Sequence, residues 1–211
     1  MTRLFIPAPG LRLVLASASP RRRRFLEDWG LPFTLFWPEG VVEPSPVSGE
    51  PPEQYACRAA EAKTLAAAER MEVTGALVLG ADTVVALDGD ILGKPRDAND
   101  ALNMLVRLSG RGHEVISAVS LLLPEGGRKN FSDTSRVFFH PWPRAVLAAY
   151  ARSGEPDDKA GAYAIQGKGA FLASRIEGAF STVAGLPLTP LINLLLAENL
   201  ILPVGGDSEF L

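Results

Sequence analysis

Short apolar runs alternate with amphipathic or alanine-rich segments along the chain, and this alternation predicts a mixed α/β fold. The runs 13–16 and 77–87 are typical of buried strands. After the first run, Ser19 fits the N-cap of a helix, Pro20 its first turn, and Gly30 its end. The chain therefore begins with a strand, a turn of small residues and a helix.

A two-residue turn, Asp88-Gly89, follows the second apolar run and predicts a β-hairpin into residues 90–92. Folding the chain at this turn places Lys94 opposite Thr83, one residue from Asp82. Residues 37–52 are a proline-rich loop, and residues 154–169 are irregular. Further helices are predicted over 53–71, 98–108, 143–152 and 188–197, and further strands over 114–122, 134–139 and 171–176.

The composition limits the class of protein but identifies no partner. The 211 residues are 47% hydrophobic and 21% charged, with a formal net charge of −3. This balance argues against bulk electrostatic binding of nucleic acid. No apolar run reaches the roughly 18–20 residues of a membrane span, and the first ten residues lack the apolar core of a signal peptide. We expect a soluble, cytoplasmic protein that binds neither membrane nor nucleic acid.

Cysteine and histidine are too few to build a zinc site. Cys57 is the sole cysteine, which excludes an intramolecular disulfide and suits a reducing compartment, and His113 and His140 are the two histidines. Any metal is therefore expected to be an oxygen-liganded divalent cation, Mg²⁺ or Mn²⁺.

Four consecutive arginines, residues 21–24, occupy the first turn of the first predicted helix, where positive charge opposes the helix dipole. Helical spacing places the last two opposite Glu27 and Asp28, so that they form solvated ion pairs. Arg21 and Arg22 instead share the face of the helix that turns inward. Two arginines at the N-terminus of a helix, after a turn that carries the Ser17 hydroxyl, predict a polyphosphate site.

Four further charged residues suggest chemistry with phosphate and a divalent cation. Asp82 interrupts an apolar strand, where a carboxylate needs a cation, a metal or water; backbone donors are the structural alternative. Lys94 follows the hairpin. Lys63 lies on the small, apolar face of its helix, although its stem could simply reach along that face to solvent. Glu43, in the proline-rich loop, is either a second carboxylate for the cation or a solvated loop residue.

Five blocks in order and with matching spacing resemble the Maf family of nucleoside triphosphate pyrophosphatases, also called septum formation inhibitor proteins. The resemblance implies a two-lobed fold related to inosine triphosphate pyrophosphatases, with a central cleft. It also implies one domain over 1–211, with a core of about 13–197, an extension over 1–10 and a flexible tail over 205–211. The blocks are residues 17–22, 80–85, 93–95, 158–167 and 183–188.

The same resemblance implies that a nucleoside triphosphate and water give a nucleoside monophosphate and pyrophosphate, with a divalent cation. Asp82 corresponds to the proton acceptor or metal-bound base, and Glu43 would assist at the metal, although the loop around Glu43 departs from the usual paired acidic residues. The residues that would hold the triphosphate are Ser17, Arg21, Arg22, Lys63 and Lys94.

Within the family, Arg21, Thr83 and Gln166 resemble the subgroup that acts on dTTP and UTP. An amide such as that of Gln166 offers a donor and an acceptor to a pyrimidine edge, although this glutamine could instead stabilise the turn at Gly167. The alternatives are a pyrophosphatase for 7-methyl-GTP or another triphosphate, and a non-catalytic, nucleotide-binding regulator of septum formation. The implied role is house-cleaning of nucleotide pools, with arrest of cell division as a second expectation. The assembly is left open between a monomer and a homodimer.

Overall fold

A computed structural model describes residues 3–37, 44–70 and 75–205. No helix in these three ranges is long and apolar enough to cross a membrane. The helices are α1 (Pro20–Trp29), α2 (Pro52–Arg70), α3 (Ala98–Leu108), α4 (Arg144–Ala151), α5 (Phe180–Ala184) and α6 (Leu188–Ala197). The strands are β1 (Phe5–Pro7), β2 (Arg12–Ala16), β3 (Thr34–Leu35), β4 (Ala76–Leu87), β5 (Asp90–Leu92), β6 (Gly112–Leu122), β7 (Arg128–Phe139), β8 (Ala173–Glu177) and β9 (Ile201–Pro203).

Seven strands form one sheet in the order β3-β2-β4-β6-β7-β8, with β5 also paired to β4. The parallel pairing of β2 with β4 ends at Gly80, and the antiparallel pairing of β5 with β4 begins at Val85. Within the described chain, residues 81–84 therefore have no strand partner on this side of β4. This gap in the sheet lies beyond the carboxyl end of β2, where open α/β sheets bind their ligands.

The two faces of β4 are buried differently. On the face of the odd-numbered residues, Leu77 and Leu79 join a cluster with α1 and α6, whereas Val85 and Leu87 join a second cluster with α3 and α4. On the even-numbered face, α2 covers the strand with small alanine side chains. The long strand thus runs through two separate cores, and Thr83 lies between them on the odd face.

The mixed α/β class is confirmed, as are most helices and strands predicted from local patterns, to within a few residues at their ends. Strand β7 is the exception: it begins at Arg128 and not at residue 134, because it pairs with the whole length of β6. The register of the β4–β5 hairpin is the one expected from its two-residue turn. Strand β8 begins at Ala173 and not at residue 171, because residues 167–171 form a 3-10 turn. The residues expected to be an N-terminal extension contain β1, which pairs with β9. Glu43 and residues 206–211 of the expected tail lie outside the described residues.

Candidate active site

A cavity of about 450 Å³ opens at the gap in the sheet, within the range of roughly 300–1,000 Å³ of small-molecule sites. In the described part of the chain, five cationic and two anionic side chains line it, an excess of three positive charges in a chain whose net charge is −3. These charged side chains are Arg21, Arg22, Lys63, Lys94, Lys159, Asp82 and Asp158.

Asp82 and Lys63 form a buried ion pair at the centre of this cavity. Lys63 Nζ donates to Asp82 Oδ1 at 2.5 Å, and both residues are less than a tenth exposed. Gly80 precedes Asp82 on the same face of β4, and a Cβ on Gly80 would lie 2.9 Å from the Ala60 carbonyl oxygen. The missing side chain lets α2 pack directly on the strand, which brings Lys63 to the carboxylate.

Arg22 is 8% exposed, and its guanidinium connects three parts of the fold. Its Nε donates to the Gly185 carbonyl at 2.8 Å, Nη1 to Ser17 Oγ at 3.2 Å, and Nη2 to Thr83 Oγ1 at 2.9 Å. The planar guanidinium can make these contacts together, which a lysine cannot. Arg22 therefore holds the end of β2, the centre of β4 and the end of α5 around the cavity.

Thr83 is part of a hydroxyl chain between the two cores. Ser117 lies opposite Thr83 on β6, and its Oγ donates to the Thr182 carbonyl at 2.7 Å. Because that bond uses the one hydrogen of Ser117, Thr83 donates to Ser117 at 2.8 Å and accepts from Arg22. Thr83, which resembles a specificity residue of the family, therefore uses its hydroxyl group to orient Arg22.

Arg21 and Arg22 point toward the cavity, and the next two arginines point away, as helical spacing predicts. Arg21 is half-buried, and its Nε donates to the Ala184 carbonyl at 3.0 Å. Arg23 and Arg24 are exposed and pair with Glu27 at 2.6 Å and Asp28 at 2.8 Å. Arginines that are adjacent in sequence therefore have different tasks.

Asp158 and Lys159 bring a second pair of charges to the cavity. Lys159 donates to Asp158 and holds the pKa of that carboxyl below its usual value, although partial burial opposes the change. Arg21 also lowers the Asp158 pKa through its charge. The Lys159 side chain is 14% exposed, so most of this side chain is shielded from solvent at the cavity.

Ser17 and Lys94 complete the polar side of the cavity. Ser17 is 2% exposed, and its Oγ accepts from the Ser19 backbone N–H at 3.2 Å as well as from Arg22. Ser19 occupies the N-cap position, but its own side chain makes no capping bond. Lys94 is exposed at the cavity and has no hydrogen-bond partner among the residues that the structure describes. Its three donors are free for a ligand.

The other side of the cavity is apolar and is the edge of the second core. Tyr163 and Val183 belong to that core, and Ala164 and Ile165 continue the lining. Tyr163 Oη pairs with His113 Nε2 at 2.8 Å, while His113 Nδ1 has no partner in the described ranges. Burial lowers the pKa of His113 to about 4 and raises that of Tyr163. Both side chains are therefore neutral at pH 7, as an apolar surface requires.

A segment next to the cavity is fixed by an arginine clamp. Arg58 on α2 donates from Nε and Nη2 to the two carboxylate oxygens of Glu50, at 2.8 and 2.6 Å. These bonds lower the Glu50 pKa to about 2. Arg58 also donates to the Ser45 carbonyl at 2.9 Å, and the neighbouring Pro46 lines the cavity. Residues 45–50 of the proline-rich loop are thereby held against α2.

The structure brings most of the predicted site residues together: Ser17, Arg21, Arg22, Lys63, Asp82, Thr83 and Lys94 all line the cavity. Gln166 does not; it is exposed, next to the lining residue Ile165. Glu43 lies outside the described residues.

Several residues of this site were given no role by the sequence. Lys159 carries a charge into the cavity, and Ser117 lies behind Thr83. The Ala184 and Gly185 carbonyls accept from the two inward arginines, 163 residues away. The nearest signal in the sequence was the resemblance at residues 158–167 and 183–188. It marked these blocks as part of the family pattern but assigned no role to Lys159, Ala184 or Gly185.

Comparisons with known proteins give a family and several similar sequences. A family model described as "Maf-like protein" matches residues 12–198. A "dTTP/UTP pyrophosphatase" of Nitratidesulfovibrio vulgaris is 54% identical over 90% of this chain and 89% of its own length. One of Oleidesulfovibrio alaskensis is 50% identical over 93% and 89%. One of Methylococcus capsulatus is 49% identical over 89% and 91%.

Solved structures are more distant. A "dITP/XTP pyrophosphatase" of Mycobacterium abscessus aligns over 90% of this chain and 94% of its own, with 19% identity and a TM-score of 0.41. The Ham1 protein of Staphylococcus aureus aligns over 62% and 72%, with 17% identity and a TM-score of 0.44.

Proposed function

The chain belongs to the Maf family, and from this premise we propose that it is a nucleoside triphosphate pyrophosphatase acting on dTTP and UTP. The observation that carries the proposal is the buried Asp82–Lys63 pair at 2.5 Å in a cavity with an excess of cationic side chains. A buried carboxylate paired with a lysine, beside further cationic side chains, suits the attack of water on a polyanion.

In this mechanism the triphosphate lies on the polar side of the cavity. Arg21, Lys94 and Lys159 neutralise the phosphates, while Arg22 holds the Ser17 turn in place. Water attacks the α-phosphorus, Asp82 takes its proton, and the bond from that phosphorus to the α–β bridging oxygen breaks. The products are a nucleoside monophosphate and pyrophosphate. The cationic side chains stabilise the negative charge that develops on the pyrophosphate as it leaves.

A divalent cation fits this site only together with the substrate. No group of three His, Cys, Asp or Glu residues that could hold a metal occurs in the described ranges. Mg²⁺ commonly takes about one or two carboxylates and completes its shell with substrate phosphates and water. Asp82 would supply the carboxylate, and Glu43 remains a candidate for a second. When bound, the cation would supply positive charge that stabilises the phosphate oxygens.

The preference for pyrimidine triphosphates is supported by three relatives whose names state dTTP and UTP, and by Arg21, Thr83 and Gln166, which resemble that subgroup. The apolar side of the cavity suits a flat nucleobase. A cytoplasmic location suits both a nucleotide substrate and the single free thiol, Cys57.

A substrate screen tests the proposal. The purified chain is incubated with Mg²⁺ or Mn²⁺ and with dTTP, UTP, CTP, GTP or 7-methyl-GTP, and phosphate and pyrophosphate are measured separately. We expect pyrophosphate and the monophosphate, fastest from dTTP and UTP. Release of inorganic phosphate with a nucleoside diphosphate would contradict attack at the α-phosphorus. A faster reaction with 7-methyl-GTP than with dTTP or UTP would contradict the substrate assignment. If no triphosphate were hydrolysed, the proposal that the chain is an enzyme would be refuted.

A further inference from the structure

Glu155 follows α4, and its carboxylate organises the turn that comes after the cavity-lining residue Ile165. Glu155 Oε1 accepts from the Lys168 backbone N–H at 2.9 Å, and Oε2 accepts from the Gly169 backbone N–H at 2.7 Å. Although partial burial would raise the pKa of Glu155, these two donors and the Tyr150 hydroxyl lower it below its usual value. The carboxylate is thus ionised at pH 7 and accepts from two consecutive backbone N–H groups of the turn.

Tyr150, on α4, extends this network to the cavity lining. It is 4% exposed, and its Oη donates to Glu155 Oε2 at 2.9 Å while accepting from the Ala164 backbone N–H at 3.1 Å. Burial raises the Tyr150 pKa, so the hydroxyl keeps its proton. A carboxylate and a phenol therefore hold three backbone N–H groups between residues 164 and 169.

Two glycines give the network its room. A Cβ on Gly169 would lie 2.5 Å from Tyr150 Oη and 2.6 Å from the Ala164 carbonyl oxygen. Gly167 has a φ of +82°, in the left-handed region that favours glycine. The turn packs around the side chains of Tyr150 and Glu155. A residue with a Cβ at position 169 would push the Tyr150 hydroxyl and the Ala164 carbonyl away from the turn.

Through the bond to the Ala164 N–H, this network holds the segment that contains Tyr163, Ala164 and Ile165. These three residues line the apolar side of the cavity, and Gln166 follows them. We propose that Glu155 and Tyr150 are positioning residues that set the nucleobase selectivity of the cavity through residues 163–166. The inference rests on the proposed function, because a nucleobase has to occupy the apolar side. Neither side chain lines the cavity itself, although the Glu155 carboxylate interacts electrostatically with Lys159, which does.

The test separates selectivity from general damage. Glu155→Gln, Tyr150→Phe and the double variant are compared with the unmodified chain, and kcat and KM are measured for dTTP, UTP, CTP and GTP. We expect the ratio of kcat/KM for dTTP to that for GTP to fall about tenfold, mainly through a higher KM for dTTP. Because both side chains act on one network, the double variant should change the ratio no more than the larger single change.

Asp97→Asn provides the matched control. Asp97 Oδ1 also accepts from two backbone N–H groups, at 2.8 Å each, but it caps α3 and does not line the cavity. The same acid-to-amide change there should leave the ratio unaltered. A ratio of kcat/KM does not depend on how much of the protein is folded, so it can be measured even for a poorly folding variant. If Glu155→Gln yields no active protein, Tyr150→Phe decides.

Two results would overturn the inference: equal losses toward all four triphosphates, or an unchanged dTTP-to-GTP ratio in the variants. Absence of pyrophosphate release by the unmodified chain is a different outcome, since it refutes the proposed function itself.

Discussion

The polar and apolar sides of the cavity are built in different ways. On the polar side, the central ion pair lies on regular elements, with Lys63 on α2 and Asp82 on β4. Loops and turns around it carry Ser17, Lys94 and Lys159. On the apolar side, residues 163–166 belong to an irregular segment whose backbone is held by Tyr150 and Glu155. The proposed base is therefore placed by a strand and a helix, whereas selectivity is expected to depend on a turn that buried polar groups support.

The largest effect in this comparison is expected from Asp82→Asn. The amide keeps the shape of the side chain and cannot accept the proton of water, so kcat should fall by about 10²–10⁴-fold. The variant should stay folded, as judged by circular dichroism and thermal unfolding. Pyrophosphate release from dTTP near the unmodified rate would show that Asp82 is not the base.

Adjacent arginines on α1 allow the polar side to be tested with an internal control. Arg22→Lys removes contacts to Ser17, Thr83 and Gly185 that only a guanidinium makes together. We expect kcat/KM to fall about 10–100-fold and the free energy of unfolding to fall by about 1–3 kcal/mol. Arg23→Lys, on the exposed face of the same turn, should change stability by less than about 0.5 kcal/mol. Similar losses in both variants would contradict the division of tasks.

This division also explains how much the sequence could reveal. Strands, helices, the Asp88-Gly89 hairpin and the inward face of Arg21 and Arg22 follow from local periodicity and capping, and the structure confirms them. The partner of Arg22 at the end of α5, the Gly185 carbonyl, could not be predicted, because a contact over 163 residues depends on the packing of the whole sheet. The pairing of β1 with β9 could not be predicted either, because both are three-residue strands without a strong pattern of their own.

The irregular segment was the hardest part to predict. The conformation of residues 164–169 within it depends on Glu155 and Tyr150, which lie several residues earlier in the chain and carry no local signal for the turn. The resemblance identified residues 158–167 as a block, but not the network beneath them. Local patterns therefore predict where charges lie better than they predict how a loop is held.

The apolar side should be the more sensitive to mild acid, because His113 beneath Tyr163 is neutral in the folded protein. Its pKa of about 4 lies below the unfolded value of about 6.5, so below pH 6.5 the unfolded chain binds more protons. Stability should therefore be lost as the pH falls from 6.5 toward 4, by about 2 kcal/mol between pH 7 and pH 5.

Urea unfolding at both pH values measures this loss, and His113→Gln, which does not titrate, should show much less of it. Carboxylates with lowered pKa values, such as Glu155, stabilise the folded protein throughout this range. They lose that stabilisation only at lower pH, near and below their unfolded pKa of about 4.3. An equal loss in the His113→Gln variant would show that another group is responsible.

The smallest effect is expected from Gln166→Ala, since Gln166 is exposed and lies next to the lining rather than in it. If its amide reaches the edge of the base in the complex, losing one exposed hydrogen bond should lower the dTTP-to-GTP ratio of kcat/KM about threefold, with little change in kcat for dTTP. Lys168→Ala is the control, because the Lys168 side chain is exposed on the same turn and Glu155 binds its backbone N–H. Unchanged relative rates with dTTP, UTP, CTP and GTP would remove Gln166 from selectivity. They would leave that task to the residues that Tyr150 and Glu155 hold in place.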